Sequence, residues 1–264
     1  MSALLDLLPG DGSGTFVATV PERLCVGSGE RTFLFGGIAL AACIEAFEHT
    51  SKAPAAFISG QFLTQARPDE GLSISIRSEG GSLRQGQVDA SVGAKVFLRA
   101  IGVCGRRASS AEHQGSLCPD VPLPLECPER SVARLLSSNM QALFEFRLAS
   151  GVLPDRAGWQ APGGQDLACW IRVRDGSPLD RRLLAVMADC AALAVPGALG
   201  RPASGSSLDN AIRFACQPEG QWVLAVTRVE AVLDGLVHTR SQLFAEDGQL
   251  LGLASQTMVL RLWE

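Results

Sequence analysis

The chain has no tyrosine and only 3 histidines among its 264 residues, and no run of lysine and arginine is longer than two. With a formal net charge of −4, it lacks the basic footprint of a polyanion binder, which argues against nucleic-acid binding as its main activity. No uninterrupted apolar segment approaches the roughly 18–20 residues of a membrane span. The opening MSALLDLLPGDGSG lacks the basic region of a secretory signal. The expectation is a cytoplasmic protein with no membrane span.

Motifs are missing as well. There is no G-x-S-x-G elbow, no G-x-x-x-x-G-K-[ST] phosphate loop and no G-x-G-x-x-G between strand and helix. The 8 cysteines include no C-x-x-C pair, and most adjoin Ala, Val, Ile or Leu, so they read as small buried hydrophobes. His49, His113 and His238 have no Cys, Asp or Glu at metal-ligand spacing and read as surface residues.

What is present is an ordinary apolar fraction, 47%, arranged in a pattern that occurs twice. Strands are predicted at 16–20, 55–64, 72–77, 83–92 and 96–104, with a helix over Phe35–Phe47 that opens on Gly36-Gly37. The second half predicts strands at 144–148, 167–173, 210–216, 222–232, 237–245 and 250–262, with a helix over Arg182–Val195 ended by Pro196-Gly197. QARPDEG falls on ACQPEG and two tight turns fall on two others, at an offset of about 150 residues. Between the halves, 106–131 is rich in Pro, Ser and charge and reads as a linker. Each unit predicts a curved antiparallel sheet around one central helix.

Such a helix is apolar on nearly every side, which makes Asp189 in LLAVMADCAAL conspicuous. A carboxylate buried there without partners costs several kcal/mol or loses its charge. The alternative is an aspartate facing solvent through a gap. Laid over the first helix, Asp189 falls on Ala42, and Gln256 of the last strand falls on Gly102. One repeat therefore folds without either group, which favours a functional origin for the acid.

RTFLFGG (31–37), FLTQARPDEG (62–71), WIRV (170–173), MADC (187–190), SSLDNAIRFA (206–215) and LFAEDGQLLGLASQ (243–256) occur in an order that resembles the acyl-CoA thioesterase II family. That resemblance implies an α+β double hotdog, two antiparallel sheets each wrapped around a central helix. Residues 1–107 form an N-terminal repeat with a degenerate site, 108–138 a linker, and 139–264 a C-terminal repeat carrying the catalytic residues. It implies thioester hydrolysis at an acid matching Asp189, a hydroxyl matching Ser207 where threonine is more usual, and an amide matching Gln256. Asn210 stands where the family usually has histidine. The implied partner is an acyl-CoA substrate, with further association into a homo-oligomer and no cofactor.

Hydrolysis of a thioester needs a positioned water, a group to take its proton and donors for the oxyanion, and requires no metal. Gly36 and Gly37 are candidate oxyanion donors at a helix start, or else permit close packing of helix and sheet. Ser206 replaces Ser207 if the register differs by one. A non-catalytic acyl-CoA or acyl-carrier binder is the alternative function. A hotdog hydratase or dehydratase fits poorly, because the position five residues after Asp189 is Ala194 rather than histidine.

Overall fold

The computed structural model describes residues 4–109, 111–154 and 159–263, so Ser110 of the expected linker lies outside the described residues. Its first half contains β1 (Leu8–Pro9), β2 (Thr15–Thr19), β3 (Cys25–Val26), β4 (Phe33–Leu34), α1 (Gly36–Ser51), β5 (Ala55–Phe62), β6 (Gly71–Gly80), β7 (Leu83–Val92) and β8 (Lys95–Gly105). The second contains α2 (Ser138–Leu143), β9 (Phe144–Ser150), β10 (Leu167–Val173), α3 (Arg181–Ala188), α4 (Val195–Leu199), β11 (Ala203–Ser207), β12 (Asp209–Phe214), β13 (Val223–Leu233), β14 (Leu236–Phe244) and β15 (Leu250–Leu262).

Among the described residues 13 strands form one antiparallel sheet, ordered β1-β2-β6-β7-β8-β5-β12-β15-β14-β13-β10-β9, with β11 also paired to β15. The expected two sheets are thus continuous, joined where β5 pairs with β12 and Ile58 faces Ile212. Period-2 alternation built these strands; in β6, for example, Leu72 and Ile74 are buried while Ser73 and Ser75 are exposed. The register corrects one detail of the repeat comparison. Ile58 pairs with Gly102 and Ile212 with Ala254, so counting outward from the junction sets Cys104, not Gly102, opposite Gln256.

Helix α1 packs on β5–β8 and α3 on β12–β15, and the two helices pack against each other. Asp180 starts α3 by accepting the Leu183 amide at 2.9 Å, an N-cap that satisfies one orphan donor. Arg182 bridges Asp180 and Glu45 of α1, tying the two helices together. Pro196 does not end this stretch as expected. A 3-10 segment at Asp189–Ala194 runs into α4, where proline takes an early position that needs no amide donor, and Gly200 closes the helix at φ 67°. By length and composition Arg181–Leu199 (mean hydropathy 1.6) could cross a membrane, which the count of uninterrupted apolar residues did not reveal. Its most apolar window is 83% buried inside the protein, as expected of a core helix.

The expected linker is not a free spacer. Gln114 bonds the Leu250 amide and the Gly248 carbonyl, and Gln242 donates to Ser116. The Trp170 indole donates to the Pro122 carbonyl at 2.9 Å. Cys127 closes an apolar cluster with Trp170, Trp222 and Phe244. Six of the cysteines are buried and free, Cys118 and Cys216 are half-buried, and the three histidines are exposed.

Candidate active site

Asp189 sits where α3 tightens into the 3-10 segment, a local irregularity of the kind that often marks function. It is 3% exposed, so the alternative of a solvent-facing aspartate is excluded. Four elements send it donors. The Gly37 amide of α1 donates to Oδ2 at 2.5 Å. On Oδ1 converge the Ser207 hydroxyl of β11 at 3.4 Å, the Asn210 amide nitrogen of β12 at 3.3 Å, and the Gln256 amide nitrogen of β15 in a short bond.

The α1 terminus explains the first contact. Phe35 precedes the helix and has no side chain able to cap it, so the unpaired amides and positive end of the helix dipole are available to a carboxylate from a neighbouring helix. The approach requires both glycines. A Cβ on Gly37 would lie 2.8 Å from Asp189 Cβ and from Val186 Cα, and one on Gly36 would lie 2.9 Å from Asp189 Oδ2 and Phe62 Cζ. The close packing at Gly37 is between two helices, whereas Gly36 also lets the helix start approach Phe62 of the sheet. Gly37 holds the carboxylate, whereas the Gly36 amide has no hydrogen-bond partner among the described residues.

Burial pushes the Asp189 carboxyl up to about 7, against the hydrogen bonds from Gly37, Gln256, Ser207 and Asn210, which favour the charged form. Asn210 and Gln256 turn their NH₂ groups toward Oδ1, leaving their own buried carbonyl oxygens, Oδ1 and Oε1, unpartnered among the described residues. Each orphaned acceptor costs about 1–3 kcal/mol. The two amides are thus oriented by the carboxylate at the expense of their own pairing.

Asp189 opens onto a cavity of about 560 Å³, within the usual range for small-molecule sites. Gly36, Ser206 and Ser207 line it with Asp189, whereas Gln256 and Asn210 lie behind the acid. Its apolar wall includes Phe33, Phe62 and Phe97. Leu135 and Leu136, from the end of the expected linker, complete that wall.

The structure brings Asp189, Ser207, Gln256 and Gly37 into one hydrogen-bonded group and leaves Ser206 and Gly36 as cavity lining. The β11 ladder, with Ser207 opposite Met258 and Ser206 opposite Val259, gives Ser207 the acid. From the sequence, Asp209 and Asn210 read as residues whose side chains bond nearby backbone at a strand entrance, and Asn210 also as standing where the family usually has histidine. The Asn210 side chain is fully buried and reaches Asp189, while its neighbour Asp209 makes the expected kind of bond, to the Thr257 amide at 2.6 Å. The signal available was its place at a position usually filled by histidine.

The model for the acyl-CoA thioesterase C-terminal domain matches residues 119–260, more than half of the chain. Among solved structures, a provisionally assigned thioesterase from Novosphingobium aromaticivorans is 27% identical, with 97% of this chain and 98% of that one covered at a TM-score of 0.86. A conserved protein of unknown function with a hot dog fold from Alicyclobacillus acidocaldarius is 20% identical, with 99% and 97% covered and a TM-score of 0.81. An acyl-CoA thioesterase II from Mycobacterium marinum is 19% identical, with 98% and 97% covered and a TM-score of 0.72. The fold is that of a hot dog protein. Among curated protein sequences none matches.

Proposed function

Because the chain belongs to the acyl-CoA thioesterase family, we propose that it hydrolyses an acyl-CoA thioester to free acid and CoA with water activated at Asp189. The observation that carries this reading is a buried acid, held by four donors from four elements, at the wall of a cavity.

Of the groups around the carboxylate, Ser207 also lines the cavity, and its bond of 3.4 Å is the longest of the four. A water entering from the cavity meets Asp189 and Ser207 together. The ionised carboxylate takes a proton as the water oxygen attacks the thioester carbonyl carbon. The carbonyl oxygen becomes an oxyanion, for which the Gly36 amide at the helix start is an unused backbone donor lining the site. Collapse breaks the C–S bond, and the proton on Asp189 leaves with the CoA sulfur. Gln256 and Asn210 act on the acid itself, holding Oδ1 and favouring its charged form.

In this reading the architecture is a double hotdog. Residues 1–107 form a repeat without the acid, 108–138 connect, and 139–264 carry the site. The first repeat supplies α1, whose terminus holds the carboxylate, and much of the cavity wall. Helices backed by their own strands and the β5–β12 junction support this division.

The test is hydrolysis of short, medium and long acyl-CoAs by wild type and Asp189→Asn. Loss of the base lowers kcat by roughly 10²–10⁴-fold. Equal, near-background rates for both proteins on every chain length would leave a binding protein in place of an enzyme.

A further inference from the structure

The same cavity carries charge that the reaction at Asp189 does not use. Arg31, in the 3-10 turn Gly29–Arg31, and Arg261, near the end of β15, both line it with exposed side chains. Neither guanidinium has an ion-pair or hydrogen-bond partner among the described residues. The turn bearing Arg31 is held in place by Arg67, which donates to the Glu30 carbonyl at 3.0 Å. Arg261 is fixed in the ladder opposite Ser204. Apart from buried Asp189, no carboxylate among the described residues lines the cavity, although the chain as a whole is acidic. Trp263, two residues beyond Arg261 and half-buried, lines the same space.

Two unpaired guanidiniums beside an indole are complementary to a phosphorylated purine nucleotide. Guanidinium donors match phosphate oxygens, and an aromatic face accepts a stacked base. Building on the thioesterase reading, we propose that Arg31, Arg261 and Trp263 form the nucleotide end of the substrate site. They hold the phosphates and adenine of CoA while its thioester reaches Asp189, and they make the protein select a CoA thioester over the same acyl group on a carrier without a nucleotide. The apolar wall faces the acyl chain, and the cations face the polyanionic end.

The experiment has two readouts. CoA alone is titrated calorimetrically into wild type, Arg31→Glu, Arg261→Glu and the double variant, with Arg31→Lys and Arg261→Lys as variants that keep the charge. In parallel, kcat/KM is measured for one acyl group carried on CoA and on pantetheine. Each charge reversal weakens CoA binding about fivefold and the double more than tenfold, most strongly at low salt, and the lysine variants bind within about twofold of wild type. The ratio of kcat/KM for acyl-CoA over acyl-pantetheine falls by the same factors. CoA affinity untouched by the double reversal, no CoA binding by wild type, or equal losses on both thioesters would each overturn the proposal. CoA binding without hydrolysis of either thioester would instead overturn the thioesterase reading and leave this one standing.

Discussion

Asp189 is held between opposing effects, burial that keeps its proton on and four donors that favour its removal. With the folded carboxyl raised to about 7 from 3.8, the folded state holds a proton that the unfolded chain has already released across that interval. Stability therefore falls as pH rises from about 4 to about 7 and is flat above, with a total on the order of a few kcal/mol. Chemical denaturation of wild type and Asp189→Asn across this range reads the effect as a slope present only in wild type. Activity runs the other way, because the base works when ionised. Removing a donor to Oδ1 raises the acid further, so Asn210→Leu moves the midpoint of the pH–rate profile upward. Ser207→Ala does the same and also lowers kcat/KM about tenfold, the value of a hydrogen bond to a charged group. At this scale the sequence made Asp189 legible because a lone acid in an apolar helix demands an explanation. Asn210 was not legible, because an asparagine beside an aspartate at a strand entrance has an ordinary reading in backbone bonding.

At the scale of elements, the site depends on how closely the start of α1 meets the end of α3. Gly37→Ala places a methyl group against Val186 Cα and Asp189 Cβ, so the helices must separate. The expected cost is about 1–3 kcal/mol of stability, read as a lower denaturation midpoint, together with loss of the Gly37 bond that orients the carboxylate. Helix and strand boundaries were readable wherever periodicity was strong. Leu83–Val92, Leu167–Val173 and Leu250–Leu262 form over the ranges that their alternating or apolar runs predict. Two features escaped for definite reasons. Ala203–Ser207 has no apolar alternation and becomes a strand by pairing with β15. Pro196, read as a stop, occupies an early helical position opened by the preceding 3-10 turns, which no local propensity announces.

At the scale of the molecule, both halves of the chain meet in the site. The α1 terminus comes from the first, and the acid, hydroxyl and amides come from the second. The repeated order of elements was visible in the sequence, but the register across the β5–β12 junction was not, since a slip of two residues keeps every side chain on its face. The segment between the halves was read as a linker from composition alone. Its docking through Trp170 and Pro122 depends on contacts distant in sequence. Trp170→Phe removes that bond and lowers stability by about 1 kcal/mol in urea unfolding.

The central claim, that Asp189 must shed a proton inside the protein before a water can be activated, is tested most directly by kcat/KM for an acyl-CoA as a function of pH. For wild type it rises with a single ionisation near pH 7 to a plateau, and for Asp189→Asn it stays roughly 10²–10⁴-fold below that plateau across the range. A wild-type rate already at its plateau at pH 5, or an Asn variant retaining the wild-type profile, would contradict the account.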